Sequence, residues 1–224
     1  SSMGANAKVS LHDVDYFLEK YFEKFPEEGG AYVFYVQDKD GNPISGATVE
    51  LNSDLIYKTD GEGRVIIKEE DRKDLDSAYL KVTADGYYSY TDMYFEGVQF
   101  GSHTNVKLYR VGEFAVVNVN VDGKDALNSK ATIRTNAKNK DGSVANITFS
   151  SKIYGEVSKI DIVQNDKALT ANSRKVNSSE YIYTNTYTAS DFTDGDSVYM
   201  YVTLKSGKVE KTKLNINSLR VFTD

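Results

Sequence analysis

The residues able to carry chemistry are few. His12 and His103 are the two histidines, far apart and outside any ligand spacing such as H-E-x-x-H. There is no cysteine, which excludes disulfides, thiol nucleophiles and zinc sites built on Cys. Asp38, Asp40 and Asn42 alternate like the oxygen ligands of a calcium loop. The twelfth position of such a loop is Val49 rather than Glu, and Pro43 follows Asn42 directly. A turn held by Asx hydrogen bonds is the simpler reading. Asp194-Gly195-Asp196 reads the same way. No phosphate loop, nucleophile elbow or nucleophile beside a His base is present. Neither a catalytic residue nor a metal or other cofactor is therefore expected.

Aromatic groups remain. The chain holds 17 Tyr and 10 Phe but no Trp. With period two, Tyr88, Tyr90 and Tyr94 share one face of a strand expected over 88–95, with Met93 and Phe95 on the other. Over 197–205, Val198, Met200, Val202 and Leu204 form a core face, which turns Tyr199 and Tyr201 outward. Tyr181, Tyr183 and Tyr187 make a further stripe. Rows of Tyr can stack on sugar rings or meet a protein partner. They can equally be cross-strand pairs, domain-interface packing or cover for a helix. The candidate binding residues are Tyr88, Tyr90, Tyr94, Tyr199 and Tyr201.

The elements that position these rows follow from periodicity. Leu11, Val14, Phe17, Leu18, Tyr21, Phe22 and Phe25 recur at helical spacing, which predicts an amphipathic helix over residues 10–25. Ser10 and Asp13 cap it, and Pro26 with Gly29-Gly30 ends it. Ala31–Val36 is apolar on both faces, the pattern of a strand buried on both sides. Strands are expected at 47–51, 64–68, 78–84, 88–95 and 105–110, with 71–76 as a charged connector. Seven more follow at 114–121, 131–135, 145–150, 157–163, 180–189, 197–205 and 209–216, separated by turns such as Asp122-Gly123 and Ser206-Gly207. Val111-Gly112-Glu113 reads as a joint between two halves.

Charge divides with the halves. The whole chain carries 27 basic and 33 acidic side chains, a net −6. Residues 1–30 hold 3 basic and 6 acidic, 31–110 hold 9 and 14, and 111–224 hold 15 and 13. The acidity lies before residue 111. No dense basic patch exists, which excludes a phosphate-tracking nucleic-acid binder. No apolar run approaches the roughly 18 residues of a membrane span.

Val36–Leu51 contains Asp40-Gly41-Asn42-Pro43-Ile44-Ser45-Gly46-Ala47-Thr48-Val49. Thr59-Asp60-Gly61-Glu62-Gly63-Arg64 follows, then Leu80–Ala84 with Gly86-Tyr87. Over residues 31–110 these segments resemble the carboxypeptidase regulatory-like domain, a transthyretin-like (prealbumin-like) β-sandwich. That family is mostly a non-catalytic module. The local histidine patterns of the ring-cleaving dioxygenases and hydrolases that share its fold are absent. So is the strand lysine that isopeptide-bonded adhesin modules use, and no isopeptide bond is expected in this half. Residues 111–224 resemble bacterial immunoglobulin-like domains, most clearly over Ser190–Leu204, where Tyr199 stands two positions before Tyr201 like a tyrosine-corner residue.

The expectation is an all-β protein: residues 1–30 with one amphipathic helix, then a transthyretin-like sandwich at 31–110 and an Ig-like sandwich at 111–224. What the resemblance implies is a non-catalytic binding, stalk or adhesion module of a bacterial surface or secreted system. The alternative is a carbohydrate-binding accessory module of a polysaccharide-degrading system. Its partner would be a protein or glycan at the cell surface, with no nucleic acid. Its location would be extracellular or in the cell envelope, with a signal peptide removed.

Overall fold

A computed structural model describes residues 30–69, 79–93 and 95–223. The helix expected over 10–25, the connector at 71–76 and Tyr94 lie outside the described residues. Within them the chain is all-β, and it divides into two compact units between Val111 and Gly112.

The first unit contains β1 (Ala31–Asp38), β2 (Thr48–Leu51), β3 (Leu55–Lys58), β4 (Arg64–Lys68), β5 (Leu80–Thr83), β6 (Tyr90–Asp92) and β7 (His103–Leu108). They form sheets of order β4-β1-β7 and β3-β2-β5-β6. The double-sided apolar run of β1 makes it a central strand, paired antiparallel to β4 and parallel to β7. Its Tyr32, Phe34 and Val36 join Val49, Leu51, Leu80, Val82, Val106 and Leu108 in one core between the sheets. Val33 and Tyr35, on its other side, are buried as well.

The turns of this unit explain its recognisable sequence. Asp38 Oδ1 accepts the backbone N–H of Asp40 and of Asn42, both at 2.9 Å. Asp60 Oδ1 does the same for Glu62 and Arg64 at 2.9 and 3.0 Å. Gly63 sits at φ +76°, and a Cβ there would lie 2.5 Å from the Val36 carbonyl oxygen. Only glycine fits where these two turns meet.

The second unit contains β8 (Ala115–Val121), β9 (Lys124–Asp125), β10 (Ala131–Asn136), β11 (Asn146–Tyr154), β12 (Val157–Gln164) and β13 (Lys167–Ala168). It continues with β14 (Ala171–Asn177), β15 (Ile182–Thr188), β16 (Val198–Leu204), β17 (Val209–Lys213) and β18 (Ile216–Phe222). A five-stranded sheet, β14-β15-β11-β8-β9, faces a four-stranded one, β13-β12-β16-β17, and β10 pairs with β18 in parallel. The core between them gathers Val119, Val121, Ile147, Phe149, Ile160, Ile162, Val198, Met200, Val202 and Leu219. Phe149, Tyr187 and Phe192 form its aromatic centre, with Phe149 stacked on Phe192 at 5.8 Å and edge-on to Tyr187 at 5.6 Å.

Several expectations change. The strand read over 88–95 is only Tyr90–Asp92, and Tyr88 precedes it as a buried residue. His103 opens β7 instead of lying in a loop. The stretch 209–216 is two strands in different sheets, β17 and β18. β3 and β14 have no counterpart in the expected list.

Candidate functional site

β16 places the two outward tyrosines. Its burial alternates, with Val198, Met200 and Val202 fully enclosed and Tyr199 and Tyr201 half-exposed on the opposite side. A half-buried strand with one apolar face produces this pattern. The neighbours on that outer face follow from register. Tyr199 lies between Val163 of β12 and Lys213 of β17, and Tyr201 between Asp161 and Lys211. Thr203 completes the row between Lys159 and Val209. Directly opposed residues of antiparallel strands share a face, so these nine side chains lie on one side of the sheet, with Val163 buried there.

The surface is ordered by its own contacts. The rings of Tyr199 and Tyr201 meet edge-on with centroids 6.4 Å apart, a favoured aromatic geometry. Lys211 Nζ stands 4.9 Å from the centre of the Tyr201 ring, within cation–π range. Asp161 accepts from Lys159 at 3.2 Å and from Arg174 at 3.0 Å. Arg174 comes from β14 in the other sheet and also donates to the Ile160 carbonyl oxygen, so one guanidinium bridges β14 to β12. The sequence reading found the tyrosines through the alternation of β16. It missed Lys159, Lys211 and Lys213, whose two-residue spacing in β12 and β17 was a usable signal only once register was known.

The tyrosines of the first unit have different surroundings. Tyr88 is buried. Tyr90 packs against the core, and burial first, then the neighbouring Asp92 and Tyr32, raises its hydroxyl above the usual phenol range. Tyr32 shares a hydroxyl–hydroxyl hydrogen bond with Thr104, and burial outweighs that bond to raise its pKa as well. Tyr32, Asp92, Phe95, Glu96, Gln99 and Ser102 line a cleft of about 380 Å³. Its groups are two carboxylates, a neutral phenol, an amide and a hydroxyl, with Phe95 packed 5.8 Å from Phe34 beneath. Such a cleft can accept hydrogen bonds, but no described nucleophile–base pair is set in it.

The remaining candidates resolve into structure. In the stripe 181/183/187, Tyr187 is fully enclosed at the centre of the second core and Tyr183 packs against that core. Burial raises the Tyr187 hydroxyl despite a hydrogen bond from Asn185. Tyr199 is the second residue of β16, and its ring meets that of Tyr201 edge-on. Asp194 accepts the backbone N–H of Val221 at 2.9 Å. Asp38 serves its own turn as described, and no group of three His, Asp or Glu side chains gathers among the described residues.

No protein-family model matches the chain, and no curated protein matches it. Among solved structures, a Bacteroides uniformis protein provisionally named a carbohydrate-binding protein is similar at 12% identity, over 83% of this chain and 97% of its own, with a TM-score of 0.27. BcpA, the major pilin subunit of Bacillus cereus, is similar at 12% identity over 87% of this chain and 69% of its own, TM-score 0.29. The Bacillus anthracis TIE protein is similar at 9% identity over 87% of this chain, which spans 33% of that protein's length, TM-score 0.29. Likenesses of this size establish neither a shared family nor a shared activity.

Proposed function

We propose that this chain is a non-catalytic binding module of a bacterial cell surface or secreted system. In this reading residues 31–110 are a carboxypeptidase regulatory-like sandwich and residues 111–224 an Ig-like sandwich, and the two β units act as platform and spacer. One observation carries it. Tyr199 and Tyr201 stand half-buried on the outer face of β16, each with a lysine directly opposite, while most other described strand tyrosines serve packing. Exposed aromatics rimmed by polar groups are a common form of recognition surface. Protein or glycan partners outside the cell fit this surface, and the extracellular or envelope location follows from the resemblance of the first unit.

The same face favours, as a second reading, an accessory module that holds polysaccharide, since flat tyrosines stack on sugar rings. The test is a binding panel of purified polysaccharides and surface proteins. At least one member should bind, and Tyr199→Ala with Tyr201→Ala should weaken it by tenfold or more, about 1.4 kcal/mol, while circular dichroism shows the fold retained. A panel with no binder, or binding indifferent to both substitutions, refutes the reading.

A further inference from the structure

The geometry points to a polysaccharide carrying carboxylate or sulfate groups as the occupant of the Tyr199–Tyr201 face, an inference that rests on reading this face as a binding surface. Charge is the first argument. Lys159, Lys211 and Lys213 flank the tyrosines on both sides, Arg174 stands at the margin, and Asp161 is the one carboxylate of the face. Asp161 is already matched by Lys159 and Arg174. No carboxylate of the described residues pairs with Lys211 or Lys213, and both are exposed. A local surplus of cations thus sits on a half of the chain, residues 111–224, that is itself slightly basic with 15 basic and 13 acidic side chains. The complement of this surplus is an anion.

Spacing and shape select the kind of anion. Lys211 and Lys213 are two residues apart on one strand, roughly 7 Å. Lys159 lies two strands away and one pair further along, roughly 12 Å from Lys211 by the same dimensions. Sparse cations around two rings suit a ligand with sparse charges and apolar ring faces, which is a charged sugar chain. Duplex nucleic acid presents a charge about every 1.7 Å and is held by many phosphate contacts. Three lysines do not supply them. The tyrosines then divide the work. Lys211 is fixed against the Tyr201 ring, which orders both groups before any ligand arrives. Tyr199, paired across the ladder with Lys213, supplies the neighbouring ring and its cation.

The test uses the full 224-residue chain at pH 7 and low salt against immobilised polygalacturonate, dextran sulfate, uncharged dextran and oligodeoxythymidine. The chain should be retained by polygalacturonate (carboxylate source) or dextran sulfate (sulfate source), and not by dextran. Lys211→Gln with Lys213→Gln should weaken retention roughly tenfold and lower its salt dependence by about two charges, with an unchanged melting curve because both side chains are exposed. Failure on both charged polysaccharides, equal retention on dextran, tighter binding to oligodeoxythymidine, or indifference to the double substitution overturns the inference. A chain that fails on both charged polysaccharides yet binds another panel member through Tyr201 overturns this inference while leaving the binding-module reading intact.

Discussion

Thr59→Val is a sharp test of how the first unit holds its turns. Thr59 is 5% exposed. Its hydroxyl donates to the Ile44 carbonyl oxygen at 2.6 Å and accepts the Ala47 backbone N–H at 2.8 Å. Valine keeps the shape and loses both bonds, leaving a buried N–H and a buried C=O without that partner. Each unsatisfied group costs about 1–3 kcal/mol, so the pair costs about 2–6 kcal/mol. Thr59→Ser keeps the hydroxyl and loses one methyl, about 1 kcal/mol. The isosteric change should therefore be the worse one. Two units need not unfold together, so the readout should be urea-dependent hydrogen exchange in peptides from 31–69. The expected fall in midpoint for Thr59→Val is about 1–3 M at a slope of about 2 kcal/mol/M, with at most half that for Thr59→Ser. A Val variant as stable as the Ser variant would refute the reasoning.

Three further outcomes follow from the same kind of contact. Gly63→Ala should destabilise the first unit by about 2 kcal/mol or more, since it adds positive-φ strain to a backbone clash at 2.5 Å; thermal melts with peptide-resolved exchange measure it. Gln164→Leu removes two bonds to the Thr193 backbone, at 2.8 and 2.9 Å, and should cost about 1–3 kcal/mol, seen as faster exchange near Thr193. Asp38 and Asp60 are partly desolvated, which by itself raises their pKa. Backbone N–H bonds (from Asn42 and Arg64 foremost) outweigh this and hold both carboxyls below the usual range. Their contribution is therefore present above the ordinary carboxylate pKa, about 4, and is lost as pH falls through the depressed folded values. Acid titration of the wild type against Asp38→Asn should show a shallower loss in the variant.

Much of the fold is legible where burial is one-sided or complete. β1, β4, β12 and β16 follow directly from runs or alternation of apolar residues. β14 is not legible because Ala171–Asn177 is an edge strand largely exposed on both faces, so no alternation is imposed on it. β3 follows the turn Asn52-Ser53-Asp54, with Asn52 and Ser53 at φ 53° and 66°; its residue types do mark a turn, and the sequence reading passed over it. Nothing marks the passage from β17 to β18, where Leu214 and Asn215 carry the chain into another sheet. The parallel pairs β1–β7 and β10–β18 join segments distant in sequence, which periodicity cannot reveal. The binding face was half legible for the same reason. Tyr199 and Tyr201 lie on one strand and show their common side, whereas the lysines join them only through cross-strand register. Tyr187 shows the opposite failure, since a row of tyrosines at period two looks alike on either side of a sheet.

The central claim is that the outer face of β12, β16 and β17 is where this chain meets its partner. Backbone chemical shifts of the full chain, recorded while the retained ligand from the binding panel is titrated in, test it most directly. The account predicts perturbations concentrated in 157–164, 198–204 and 209–213, centred on Tyr199, Tyr201, Lys211 and Lys213. Perturbations centred instead on the cleft lined by Tyr32, Asp92 and Phe95, with the β16 face unchanged, would contradict it.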